Sequence, residues 1–288
     1  IEHSYYPVGG SQKLADALAA AFKKLGGELL LNAPVVKILA EGGRARGVEL
    51  AGGERFYSDL VISNADARHT YGLLPPGQAP ARFLRKLEKM KVSVAPFRVC
   101  LGLDYDVARH GLDQHEYLLF KDYDHDANYG AMLRGDPGAI SVYSPTRLSP
   151  ELAPPGHSTL VLTTLLPWRP EKDWRNRREE LAAELIAAVE RRLPGLSGHI
   201  KVKLIMTPED LARLTNASEG AMYGWANMPD QVLMRRMSMR SPVKGLYHVG
   251  HWTYLGTGVT TAIISGWMLG NRLVRRSTPL GWLMDKLF

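Results

Sequence analysis

The sequence predicts a mixed α/β fold in two domains, one of them built from both ends of the chain. Three observations carry that reading. An amphipathic helix and a series of short β-rich runs occupy residues 1–83. Alternating or wholly apolar runs of the kind that build an antiparallel sheet fill residues 84–223. A strand, a glycine loop and an apolar helix then close the chain within 224–288, returning to the style of its beginning. Residues 1–83 and 224–288 are therefore expected to complete one domain, with 84–223 as a second domain facing it.

The elements follow in order. Ser11 to Leu25 reads as a helix with Leu14, Ala17, Leu18, Ala21, Phe22 and Leu25 on one face, Ser11 as N-cap and Gly26-Gly27 as its stop. Glu28 to Leu31 and Val36 to Leu39 read as strands. Gly42-Gly43 makes a hairpin turn into Ala45 to Leu50, and Gly52-Gly53 a second turn into Glu54 to Tyr57. Asp59 to Asn64 is a short apolar strand with polar ends. The central sheet is assigned to Val92–Leu103, Tyr117–Phe120, Ala139–Tyr143, Thr159–Leu166 and Ile200–Ile205. A helix over Trp174–Leu193 interrupts it with an apolar stripe of Leu181, Leu185, Ile186 and Val189, and a short helix covers Pro208–Leu214.

The closing segment is the most informative. Leu246 to Val249 is apolar and ends at Gly250, a loop holding Gly256 and Gly258 follows, and a helix begins near Val259. A helix start aims free N–H groups and the positive end of its dipole outward, which suits an anionic or electron-rich ligand. Glycine lets the backbone approach a flat ligand closely. A dinucleotide fingerprint is excluded by context, since no second strand with an acidic end follows. A glycine loop that only turns a strand into a helix remains the alternative.

Bulk properties narrow the class. The chain has 288 residues, 45% of them hydrophobic, and no apolar run near the roughly 18 residues of a membrane span. It has no signal-peptide pattern and a single cysteine, Cys100, in an apolar run, so a reducing, cytoplasmic setting and a buried structural thiol are expected. It shows no zinc spacing, no metal motif and no Walker loop. The net charge of +7 lacks the aromatic-interleaved basic patch of a nucleic-acid binder. Arg175, Arg177 and Arg178 sit among Glu179, Glu180 and Glu184 at helical spacing and read as a solvated face, whereas Arg82 to Lys91 and Arg272 to Arg276 are more one-signed. Beside the apolar tail of Leu280, Trp282, Leu283, Met284, Leu287 and Phe288, the last cluster suits either a peripheral membrane surface or a packed terminal helix.

Several segments, in order along the chain, carry a family likeness. Tyr6-Pro-Val-Gly-Gly-Ser11 before a helix, Asn32-Ala-Pro-Val-Val-Lys-Ile38, Asp59-Leu-Val-Ile-Ser-Asn-Ala65, Leu152 to Ser158, Gly220 to Trp225 and the closing Gly245 to Gly266 resemble phytoene desaturase-like and carotenoid isomerase-like flavoproteins of the flavin amine oxidase superfamily. The resemblance implies a partial FAD-binding, Rossmann-like domain with a mixed antiparallel-sheet substrate domain. It implies FAD as cofactor and desaturation or isomerisation of a long apolar isoprenoid or carotenoid. By position, the Val35 backbone would hold the adenine, and Gly250 and His251 would meet the ribityl and pyrophosphate region. Gly258, Val259 and Thr260 would approach the pyrimidine edge of the flavin ring. His251 stands where amine oxidase-type members commonly carry an acid. Tyr223 and Trp225 are candidates for the wall of a substrate tunnel, with ordinary core packing as their alternative. No residue identifies itself as a catalytic base. The family's opening G-x-G-x-x-G unit is not in this sequence, so the chain reads as a C-terminal portion expected to bind FAD poorly by itself. A flavin amine oxidase and a non-catalytic fragment that binds a membrane or a partner are the competing readings.

Overall fold

The structure is a computed structural model that describes residues 5–168 and 173–276. Helix α1 (Gln12–Lys24) stops where glycine takes over: Gly26 has φ +87°, and the N–H groups of Gly26 and Gly27 donate to the carbonyls of Lys23 and Phe22. Ser11 holds the N-cap position, but its hydroxyl caps nothing, because its backbone is already helical at φ −61° and ψ −26°. The strand expected at Glu28–Leu31 is absent; among the described residues no strand pairs with this segment, and Leu31 is exposed.

The next elements follow the sequence reading closely. Strands β1 (Val35–Glu41), β2 (Arg44–Leu50) and β3 (Arg55–Tyr57) form an antiparallel meander. Gly42 and Gly43 both take positive φ in its first hairpin, the backbone that a two-residue turn between right-twisted strands requires. After β4 (Val61–Ser63) come α2 (Ala67–Gly72) and α3 (Ala81–Lys89), two helices not anticipated from the sequence. Then follow β5 (Ala95–Leu103), β6 (Glu116–Phe120), a further unanticipated helix α4 (His125–Arg134), β7 (Ala139–Tyr143) and β8 (Ser158–Leu166). The chain closes through α5 (Trp174–Glu190), β9 (Ile200–Met206), α6 (Pro208–Thr215), β10 (Leu246–His248) and α7 (Val259–Arg276).

Contacts divide the chain into two units, one of Ile1–Leu31 with Ala95–Leu211 and one of Asn32–Val94 with Ala212–Phe288. This grouping places α1 with the central sheet, whereas the sequence reading joins it to the closing segment.

The first unit is organised by a five-stranded antiparallel sheet in the order β6-β7-β8-β5-β9. The two-residue period of β5 turns Phe97, Val99, Leu101 and Leu103 to one face, where they are buried with Leu160, Leu162 and Leu166 of β8. The stripe of α5 (Leu181, Leu185, Ile186 and Val189) closes that core, each leucine contributing roughly 1.5–3 kcal/mol by burial. Cys100 falls on the opposite phase of β5 and is half-buried; desolvation raises its pKa, so it stays a thiol.

The second unit holds the meander and a parallel pair, β4 with β10 in the register Val61–Leu246 to Ser63–His248. The two sheets are tied through Lys244, whose N–H donates to Gly43 O and whose carbonyl accepts from Ala45 N. Gly245 lies so close to the neighbouring chain that a Cβ there would sit 2.4 Å from Asp59 O. The core beneath gathers Ile38, Tyr71, Leu87, Trp225, Val243, Leu246 and Trp252. Helix α7 packs on β10 through Leu269, with Tyr247 and Met239. Among the described residues no helix is long and apolar enough to cross a membrane, and no His, Cys, Asp and Glu side chains gather as a metal site. The apolar tail 280–288 lies outside the described residues.

Candidate functional site

Ligands of open parallel sheets bind at the carboxyl ends of the strands. In the second unit those ends are Ser63-Asn64-Ala65-Asp66 after β4 and Val249-Gly250-His251 after β10, held together by Val249 N donating to Ser63 O at 3.0 Å. Asp66 is buried and caps α2: its carboxylate accepts from His69 N at 2.9 Å and from Ser218 N at 2.7 Å. Behind it the Tyr71 hydroxyl donates to Ser241 Oγ at 2.7 Å and lies 3.0 Å from His248 Nε2.

Those bonds fix the state of His248. With the Tyr71 proton committed to Ser241, Nε2 carries the imidazole proton and donates to Tyr71, leaving Nδ1 a buried lone pair that no described group answers. Burial holds the pKa of His248 down at about 4, against an ordinary value near 6.5, and pushes that of Tyr71 up. A histidine kept neutral by folding costs nothing above pH 6.5. As pH falls from 6.5 toward 4 the unfolded chain takes up a proton that the folded chain refuses, and stability is lost by up to roughly 3 kcal/mol. Urea midpoints between pH 7 and 4 test this: His248→Gln, which keeps a donor for Tyr71, is expected to flatten the slope. An unchanged slope would assign the acid sensitivity elsewhere.

Gly250 begins the loop at φ +85° and is enclosed on both sides. Its N–H donates to the buried Ser265 Oγ at 2.7 Å, its carbonyl accepts from Thr253 Oγ1 at 2.9 Å, and a Cβ would sit 2.0 Å from Asn64 Oδ1. The glycine is thus required by Asn64, and its N–H is already committed. Further along, Thr261 Oγ1 donates back toward the carbonyls of Thr257 and Gly258 at 2.7 and 2.9 Å.

Arg236 underlies the loop and is 3% exposed. Its Nη2 donates to Trp225 O and to Asn227 Oδ1 (3.1 Å), its Nε to Gln231 O at 3.3 Å and its Nη1 to His251 O at 3.5 Å; Gly256 gives it room, since a Cβ there would lie 3.1 Å from Nη1. Burial lowers its pKa, yet a guanidinium stays charged. That charge, after burial, also pushes the His251 pKa down against the opposing pull of Asp66, so His251 is a neutral imidazole at pH 7.

The site residues expected from the sequence are therefore brought together in part. Gly250, His251, Gly258, Val259 and Thr260 share one loop and helix start. Gly258 takes φ +110° with only Thr261 Oγ1 near its open side, at 3.7 Å, and Gly258, Val259 and Thr260 are exposed. The opening N–H groups of a helix have no intrahelical acceptor, so this start is available to an electron-rich group. The neutral His251 beside it offers one donor and one acceptor. The backbone and chemistry here fit a flavin edge. Val35 opens β1 in the meander, half-buried and paired with Leu50. Tyr223 is half-buried with its N–H donating to Ser93 Oγ at 2.9 Å. Trp225 is 0% exposed, packed edge-on against Trp252 at 4.9 Å and beneath the Arg68 guanidinium at 5.6 Å. It is placed as a core residue in this chain. Asn64, Thr253, Ser265 and Arg236 were not singled out from the sequence. Asn64, Thr253 and Ser265 lie inside the motif segments quoted for the resemblance, and that position is their available signal; Arg236 lies outside them.

The flavin-containing amine oxidoreductase model matches residues 2–270. A lycopene-forming phytoene desaturase of a Paracoccus species is 32% identical over 270 residues, covering 88% of this chain and 52% of that protein. The chloroplastic prolycopene isomerase 1 of an Oncidium hybrid is 31% identical over 302 residues, covering 96% and 50%. Among solved structures, an oxidoreductase from Methanosarcina mazei matches with a TM-score of 0.66 at 22% identity, covering 92% of this chain and 55% of its own. Putrescine oxidase bound to putrescine matches with a TM-score of 0.59 at 16% identity, covering 93% and 54%. The last two show the fold alone. The chain spans about half the length of the curated relatives it matches. By the family model and by these relatives, it belongs to the flavin-containing amine oxidoreductase family.

Proposed function

We propose that this chain forms part of an FAD-dependent oxidoreductase acting on a long apolar isoprenoid or carotenoid-like substrate, by desaturation or by flavin-assisted cis–trans isomerisation. One observation carries the flavin reading: the exposed start of α7 at Gly258–Thr260, set on a loop that Ser265, Thr253 and Arg236 hold rigid at the carboxyl ends of a parallel pair. Bound FAD supplies the ring that accepts hydride. The chain's own residues hold and orient it. The Val35 backbone would hold the adenine, Gly250 and His251 would meet the ribityl and pyrophosphate region, and the N–H groups of Gly258, Val259 and Thr260 would stabilise negative charge at the pyrimidine edge. Tyr223 borders the substrate; the full burial of Trp225 gives it packing instead. The relatives named as phytoene desaturase and prolycopene isomerase support the substrate class. An amine oxidase would need an open aromatic cage; of its candidate pair Trp252 is buried and Tyr254 half-buried, which favours the isoprenoid reading.

The cofactor site is completed by further polypeptide. A parallel pair of strands is buried on both faces in other proteins, and a two-stranded sheet is marginal alone. Val259 and Trp267 of α7 are also largely exposed. Titrating the chain with FAD and following flavin fluorescence is expected to give weak but saturable quenching, lowered at least about ten-fold by Gly258→Val, whose side chain cannot adopt φ +110° without strain. Tight stoichiometric binding would show that nothing more is needed; no saturable binding at all would remove the site from this chain. At saturating FAD without oxygen, bleaching of the flavin by phytoene but not by putrescine is the result expected for a desaturase, and the reverse pattern would make the protein an amine oxidase.

A further inference from the structure

Helix α3 carries a face that the flavin reading leaves unused. Arg82, Arg85, Lys86 and Lys89 fall at the helical spacing that sets four cations on one side, while Phe83, Leu84 and Leu87 on the other side pack into the core. The cations line an open groove of about 390 Å³ with Met90, Asp230, Gln231 and Arg235. Asp230 is the lone acid against five basic side chains, and none of the five has an ion pair among the described residues.

Next to that groove the chain displays two apolar side chains to solvent. Leu233 is 71% and Met234 82% exposed, and Leu233 takes φ +49°, a left-handed conformation rare for a branched residue. The loop does not hang freely. On one side Gln231 is buried, accepting from Lys91 N at 3.0 Å and donating to the carbonyls of Lys91 and Ala226 at 2.7 and 2.8 Å. On the other side stands Arg236 with its carbonyl partners. Two buried anchors thus hold a strained turn whose apolar tips point away from the core. Strain of this kind persists only where the surroundings over-determine it, and it collects at functional sites.

We propose that the basic face of α3 and the Leu233–Met234 tip form a docking surface for an anionic phospholipid bilayer. The cations meet the headgroup phosphates, and the two apolar side chains enter the headgroup–acyl boundary. Charge complementarity selects this occupant: a free phosphate would not use Leu233 and Met234, and an apolar protein groove would not use five cations. The surface is independent of the flavin reading, because it is measured without cofactor or substrate.

The test is co-sedimentation of the whole chain with vesicles of phosphatidylcholine alone or mixed with phosphatidylglycerol. Binding is expected only to the mixed vesicles and is weakened by salt. Each cation near such a surface is worth about a five-fold change in binding. The triple variant R85E/K86E/K89E is therefore expected to bind at least on the order of a hundred-fold more weakly. Met234→Trp should show a blue-shifted emission on mixed vesicles, and Leu233→Ser with Met234→Ser should weaken binding at unchanged charge. All these positions are exposed, so matched thermal melts separate loss of docking from loss of fold. Equal binding to both vesicle types, no binding by the native chain, or binding that survives the triple variant but vanishes on removing residues 279–288 would each overturn the proposal.

Discussion

An Arg236→Met chain is expected to lose roughly 3–5 kcal/mol of folding stability, read as a shift in the urea midpoint of the second unit. The side chain would still fill most of the space, so the loss comes from what it leaves behind. The carbonyls of Trp225, Gln231 and His251 and the amide oxygen of Asn227 would face a thioether that donates nothing. Each buried acceptor left unanswered costs about 1–3 kcal/mol, partly offset because a desolvated charge has also been removed. Arg236→Lys should recover only a fraction, since an ammonium cannot reach divergent carbonyls with a planar fork. If Arg236→Met melts with the native chain, the guanidinium is not what holds the loop.

Replacing Gly250 by alanine should cost about 2–5 kcal/mol, for two separable reasons. Positive φ strains any residue with a Cβ by roughly 1–2 kcal/mol, and the new methyl would also overlap Asn64 Oδ1. Asn64→Ala in the same chain makes room for the methyl without altering φ. A double-mutant cycle should therefore show the combined variant to be more stable than the sum of its parts, with the strain term remaining. Simple additivity would mean that Asn64 does not confine Gly250.

Much of the fold was legible because its elements announce themselves by period. The strands of the central sheet alternate or run apolar, and the stripe of α5 is continuous. Helices α2, α3 and α4 were missed for distinct reasons. Helix α2 has only six residues, and the apolar Phe83, Leu84 and Leu87 of α3 were submerged in a run of charge. In α4, Asn128 is the buried residue, so it has no apolar stripe to read. The site was legible as a loop but not as a structure. Arg235 and Arg236 are adjacent and chemically identical, yet one is exposed and the other buried; only the path of the chain through the carbonyls of Trp225, Gln231 and His251 distinguishes them. At Gly250 the motif marks the glycine, but the neighbour that leaves no room for a Cβ, Asn64 Oδ1, is visible only in the structure.

The parallel pairing of β4 with β10 also sets an order of events during synthesis. Strand β4 leaves the ribosome before the five-stranded sheet, and β10 follows only after that sheet has been made, on the order of 10–40 s later at roughly 5–20 residues per second. The sheet unit has all its strand partners within one contiguous stretch of chain and can fold while translation continues. Throughout that delay β4 lacks the one partner it has among the described residues, and an unpaired strand edge can recruit foreign strands. Of the two units the second is thus the later to complete and the more exposed to mispairing, and the short three-residue length of β4 limits that hazard.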